Sequence, residues 1–330
     1  MVKTEYHLKK DEQYQGLNIE KKMTRDAFAR TLVRLAKEDE RIVALSADLM
    51  YPTKLDIFAK QYPDRFFNLG VAEQDMMGVA AGLATCGKIP FVATFAVFAT
   101  TRACEQIRTD IAYPKLNVKI VGTAGGFSFG MGGVTHASTE DIAIMRSIAN
   151  MTVVVPADAM ETEKAVESAV KYNGPLYIRI GRGAEPVIYK EDYQFEIGKS
   201  VTLREGRDIT IISTGSMVFE ALRAAEELSR DNIEARVINF HTIKPLDREA
   251  ILKTARETKA IISVEEHTII GGLGSAVSEV LAEAEIKTRF GRIGLPNIFT
   301  IPGHPDELRQ KYGMNSIHIV SMARKLLSEE

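Results

Sequence analysis

Cysteine is scarce: Cys86 and Cys104 are the only two in 330 residues, too few for a disulfide framework, and Cys86 lies in a core-like apolar segment. A reducing, cytoplasmic setting is the simple expectation. An excess of charge of one sign is also missing. The 42 Lys and Arg residues nearly balance 44 Asp and Glu, leaving a formal charge of −2 with the two signs interspersed. That removes the basic footprint of a nucleic-acid-binding surface. No apolar run approaches the length of a membrane span. The opening MVKTEYHLKKDEQYQGLNIEKK lacks the apolar centre of a signal peptide, so residues 1–22 are expected to form a polar arm. Low-complexity tracts and short repeats are absent as well.

What is present is length for two ordinary domains and a regular alternation. Apolar strands such as RIVALSAD (Arg41–Asp48), IPFVATF (Ile89–Phe95) and NVKIVGTA (Asn117–Ala124) are separated by helical stretches such as Met23–Glu40 and Ala99–Ala112. ADLMYPT reads as a loop, and Gly125–His136 as a Gly-rich loop. Continuous apolar strands separated by helices predict mainly parallel sheets covered on both faces, an α/β, doubly wound class. The rhythm breaks at GRGAEPVIYKEDYQFEIGKS and then resumes. The expected division is an arm over 1–22, a first doubly wound domain over 23–182, a linker over 183–207 and a second, smaller domain over 208–330.

One stretch organises the rest: FFNLGVAEQDMMGVAAGLATCGKIPFVATFAVFATTRACEQIR, Phe66–Arg108. Glu73 opens a helix that is otherwise apolar on nearly every side, with Gly78 and Gly82 spaced to admit a neighbouring backbone. A helix of that kind belongs in a core or an interface. A carboxylate at its start is therefore paired, capped, protonated or functional. The pattern alone also suits a charged first turn, in which Glu73, Gln74 and Asp75 complement the helix dipole.

The wording GVAEQDMMGVAAGLA, then ATFAVF, then FGMGGVTHAS resembles the pyrimidine-binding half of thiamine-diphosphate enzymes, and the transketolase family in particular, over Met23–Leu327. The resemblance implies a pyrimidine-binding domain followed by a transketolase C-terminal domain. It implies thiamine diphosphate as cofactor, with Glu73 on the aminopyrimidine nitrogen N1′ exchanging the proton that activates the thiazolium carbon. It places Phe98 in stacking contact with the pyrimidine and Phe95 in the pocket wall. The family often has a tyrosine slightly further on, where this chain has Thr100 and Thr101. His136 matches a histidine that contacts the donor's reacting oxygen, a role suited to a side chain that titrates near neutrality. Arg25 and Arg182 match arginines that hold a substrate phosphate, and guanidinium forks suit its oxygens.

Two positions depart from the family pattern. Ala124 stands where a phosphate-binding His is usual, and Gly132 where an Asp usually meets a sugar hydroxyl. An unusual ketose, or one with a different tail, is therefore expected. The double change Ala124→His with Gly132→Asp is expected to improve the use of ordinary donors. In the family, a Gly-Asp-Gly motif and a downstream Asn hold the metal (Mg2+ or Ca2+) that grips the diphosphate, and no Gly-Asp-Gly occurs here. The chain thus resembles the C-terminal subunit of a split transketolase. Such a subunit would be active only with an N-terminal subunit, in a two-fold heterotetramer, and would move a two-carbon ketol unit from a ketose, expected to be phosphorylated, to an aldose. Two other enzymes share the domain pair: the β chain of a 2-oxo-acid dehydrogenase, and a deoxyxylulose-phosphate-synthase-like enzyme. A catalytically silent scaffold would use the same fold. GGLGSA (Gly271–Ala276) is not a complete dinucleotide fingerprint. VEEH (Val264–His267) has poor metal-ligand spacing and reads as structural.

Overall fold

The computed structural model describes residues 20–189 and 193–328. A seven-stranded sheet carries the first domain, in the spatial order Thr242–Lys244, Thr152–Val154, Leu176–Arg179, Lys119–Thr123, Ile89–Phe95, Ile42–Ser46, Phe66–Asn68. Its pairings are parallel except at the Thr242–Lys244 edge, a strand from the second half of the chain that runs antiparallel to Thr152–Val154. Every residue of Ile42–Ser46, Ile89–Phe95 and Lys119–Thr123 is buried. That burial is why these strands read as continuous apolar runs rather than alternating ones. The amphipathic helices Thr24–Glu38 and Ala159–Lys171 bring Phe28, Leu32, Ala165 and Val166 into one cluster on the sheet. The helix Glu73–Thr85 brings Met76, Met77, Ala80 and Ala81 into another.

The second sheet is five-stranded, in the order Arg289–Leu295, Ala260–Thr268, Ile209–Ser213, Ala235–Asn239, Val201–Arg204. It too is parallel apart from one edge, where Val201–Arg204 runs antiparallel to Ala235–Asn239. The predicted doubly wound pair is therefore what the chain forms.

Several local expectations change. Most of the arm falls outside the described residues, but Lys21–Met23 is a strand paired antiparallel with Ala184–Pro186. The stretch expected as linker thus contributes that strand and Val201–Arg204. Part of ADLMYPT is a short helix, Met50–Thr53, not a loop. The helix expected over Ala99–Ala112 is instead two π-type windings, Phe98–Arg102 and Ile107–Ala112, around a turn of α-helix at Cys104–Gln106. The Thr100 and Thr101 hydroxyls donate to the carbonyls of Ala96 and Val97 at 2.8 and 2.6 Å, a local competition that favours such irregular winding. Cys86 is exposed rather than core, because it sits just past the end of its helix. Apart from the helix's own neighbouring atoms, no atom of the described residues lies within 4 Å of a Cβ built at Gly78 or Gly82.

Candidate active site

The carboxyl ends of parallel strands are where α/β sheets place their ligands, and there the singled-out residues gather. Phe95 ends the strand Ile89–Phe95, and Phe98 opens the winding after it. Arg182 follows Leu176–Arg179, and the turn that ends at His136 follows Lys119–Thr123. Glu73 begins the helix after the edge strand Phe66–Asn68.

Glu73 is 1% exposed, and its Oε2 accepts from Arg102 Nη1 at 2.7 Å. The same guanidinium lies over the Phe98 ring, 4.6 Å from its centroid. Glu73 is therefore a paired, buried carboxylate linked through Arg102 to the Phe98 ring, not a solvated first-turn charge. Arg102 went unread in the sequence. Its signal is its spacing, four residues after Phe98 and so on the same side of a helical winding.

Four rings form the floor. Phe95 lies 5.7 Å from Phe98, and His136 meets Phe95, Phe98 and Phe129 edge-on at 5.8, 5.5 and 5.2 Å. Such edge contacts fix a ring's plane as well as its position. His136 Nδ1 shares a hydrogen bond with the Thr135 hydroxyl at 2.8 Å, which leaves Nε2 for another partner. The hydroxyls of Thr100 and Thr101, turned onto their own backbone, do not replace the missing tyrosine.

Arg182 stacks its guanidinium on Phe129, 3.7 Å from the ring centroid, and has no carboxylate partner among the described residues. Burial, and then the like charge of Arg25, push it below the usual arginine range. Arg25 donates to the Pro52 carbonyl at 3.0 Å and leaves its Nε without a partner. Two neighbouring guanidinium groups without a paired carboxylate among the described residues suit an anion.

The turn carrying His136 is anchored from the second domain. Glu266, inside VEEH, accepts from the Phe127 amide at 2.8 Å and pairs with the partly buried Arg309. Gly126, at φ +59°, leaves room for that carboxylate, since a Cβ there would lie 2.3 Å from Glu266 Oε1. VEEH is thus a domain clasp. Among the described residues, no group of three or more His, Cys, Asp or Glu side chains could hold a metal ion.

The two departures now have surroundings. Ala124 is fully buried at φ +57°. A Cβ on Gly132 would meet His136 Cβ at 2.6 Å. An aspartate there cannot be added while His136 stays where it is, so the Gly132→Asp half of the double change displaces His136.

Comparison with known proteins agrees with this fold. Residues 20–186 match the transketolase pyrimidine-binding domain, and residues 198–319 match the transketolase C-terminal domain. The chain is 43% identical, over 94% of its length and 96% of the relative's, to the 6-deoxy-6-sulfo-D-fructose transketolase subunit SqwH of Clostridium sp. (strain MSTE9). It is 42% identical, over 92% and 97%, to an apulose-4-phosphate transketolase subunit of Phocaeicola vulgatus. A solved structure described as a split gene transketolase, inactive beta4 tetramer, superposes with a TM-score of 0.84 at 46% identity, covering 93% of this chain and 98% of that one.

Proposed function

The chain belongs to the transketolase family, and from that premise we propose that it is the C-terminal subunit of a two-chain, thiamine-diphosphate-dependent transketolase that transfers a two-carbon ketol unit from an anionic ketose to an aldose. One observation carries the reading: Arg102 joins the buried carboxylate of Glu73, which it pairs at 2.7 Å, to the Phe98 ring, over which it lies at 4.6 Å, at the ligand end of the sheet. A flat heteroaromatic ring with a basic nitrogen needs those two features, a face and a proton-sharing carboxylate. The pyrimidine end of the cofactor therefore fits. For its diphosphate end, the Gly-Asp-Gly motif that the family uses does not occur in the sequence. A partner chain with a Gly-Asp-Gly motif is assigned that end, with the metal.

When bound, the cofactor supplies a nucleophilic carbon for ketol transfer. The chain's own residues do the rest. Glu73 holds and exchanges a proton at its carboxylate. Phe98 and Phe95 orient the ring and exclude water. His136, with Nδ1 engaged by Thr135, presents Nε2 to the oxygen of the donor carbonyl and moves its proton. Arg25 and Arg182 receive the anionic tail. Both relatives described above are named for substrates with an anionic group, one a sulfo sugar and one a phosphate, in keeping with a site that reads charge rather than one oxyanion.

The test is calorimetric titration of thiamine diphosphate with Mg2+ into the purified chain, with and without its partner. Weak binding alone and tight binding with turnover in the complex are expected. Tight binding and turnover by the isolated chain would contradict the two-chain reading.

A further inference from the structure

Arg182 has an unusual support. A guanidinium held by a carboxylate spends its N–H groups on that partner and cancels its charge. Here the face of the cation rests on Phe129, with Phe95 further away at 5.6 Å, and no carboxylate among the described residues engages it. An aromatic face attracts the cation through its quadrupole and leaves the in-plane N–H edges free. The same Phe129 ring meets His136 at 5.2 Å and 79°, and Phe95 at 5.7 Å and 66°. Phe129 therefore touches both the group assigned to the anionic tail and the group assigned to the carbonyl end of one donor.

Resting on that reading of Arg182 and His136, we propose that Phe129 is a specificity-determining, positioning residue: it holds Arg182 as an uncompensated cation and fixes its separation from His136, so that anion-tailed donors of one length are selected. The ring contacts no reacting atom; it acts through its two neighbours. Aliphatic residues of similar bulk fill the space but have no quadrupole, so Phe129→Leu isolates the effect. Phe129→Tyr keeps the face and serves as the conservative control.

Two measurements test the proposal. The first is inorganic sulfate binding to the full chain, followed by calorimetry in the wild type and in the Phe129→Leu, Phe129→Tyr and Arg182→Gln variants. Sulfate affinity is expected to fall about tenfold in Phe129→Leu, within the range of a cation–π contact, and to stay near wild type in Phe129→Tyr. The second, in the assembled enzyme, compares fructose 6-phosphate with uncharged fructose as donor. Phe129→Leu is expected to raise KM for the phosphorylated donor by about the same factor and to leave KM for the neutral donor near wild type, while loss of the edge contact to His136 lowers kcat for both donors alike. Undiminished sulfate binding in Phe129→Leu, with weakened binding in Arg182→Gln, would overturn the role of Phe129 alone. So would an equal rise in KM for both donors. Equal sulfate binding in wild type and Arg182→Gln would show that the anion clamp itself is wrong, and the proposal would fall with it.

Discussion

Arg102 Nη1 lies 2.7 Å from Glu73 Oε2, and it is the only charged partner of a carboxylate that is 1% exposed, among the described residues. The arginine side chain is 46% exposed, so the pair is buried at one end and wet at the other. Removing the cation strands the buried charge, whereas removing the carboxylate frees a solvated arginine. Arg102→Met is therefore expected to cost about 1–2 kcal/mol, less than a fully buried broken pair because water screens the exposed end. Urea unfolding of the chain measures it. Wild-type stability in Arg102→Met would mean that the pair contributes nothing.

The contact between Gly132 and His136 makes the opposite of a family-guided expectation. Gly132→Asp places a Cβ where His136 Cβ lies at 2.6 Å and drives the imidazole out of its aromatic setting. Donor kcat/KM should fall at least about tenfold, as for loss of a positioned acid–base group. Steady-state kinetics in the assembled enzyme decide this, and improved turnover of xylulose 5-phosphate would show that the turn readily re-forms around an aspartate.

Lys119 begins the strand that leads to the His136 turn. Its side chain is buried and donates to the carbonyls of Tyr172 and Gly174 at 2.6 and 2.8 Å. Burial lowers its pKa to about 7 from 10.5. Between those values the folded chain binds fewer protons than the unfolded one, so this group makes stability rise as pH increases from 7 towards 10.5, by at most about 1.4 kcal/mol per unit. Below pH 7 its contribution is flat. Lys119→Met should remove that rise from a series of unfolding curves across this range, and an unchanged slope would contradict the assignment.

Much of this was legible in the sequence because the physics is local. The Ile42–Ser46, Ile89–Phe95 and Lys119–Thr123 strands announce themselves as apolar runs, since both faces of a parallel sheet are covered. Glu73 stands out as the carboxylate that opens an otherwise apolar helix, followed only by Asp75 in its first turn. Its partner does not, because Arg102 looks like any solvated arginine until the winding places it over Phe98. VEEH reads as structural, but the partner of Glu266 is hidden for a different reason: it is the Phe127 amide, 139 residues away, and no periodicity encodes a contact between domains. Nothing in the sequence pairs Phe129 with Arg182, and only the fold brings that guanidinium onto its face.

The most direct measurement is deuterium exchange at the thiazolium carbon of the cofactor in the assembled complex, comparing wild type with Glu73→Gln. Glutamine is nearly isosteric and its carbonyl can still accept from Arg102, so the chain should remain folded. Losing one acid–base group slows proton transfer by about 10²–10⁴-fold, and that is the loss of exchange rate the account predicts. Exchange at the wild-type rate in Glu73→Gln would remove Glu73 from the mechanism and contradict the function proposed for the chain.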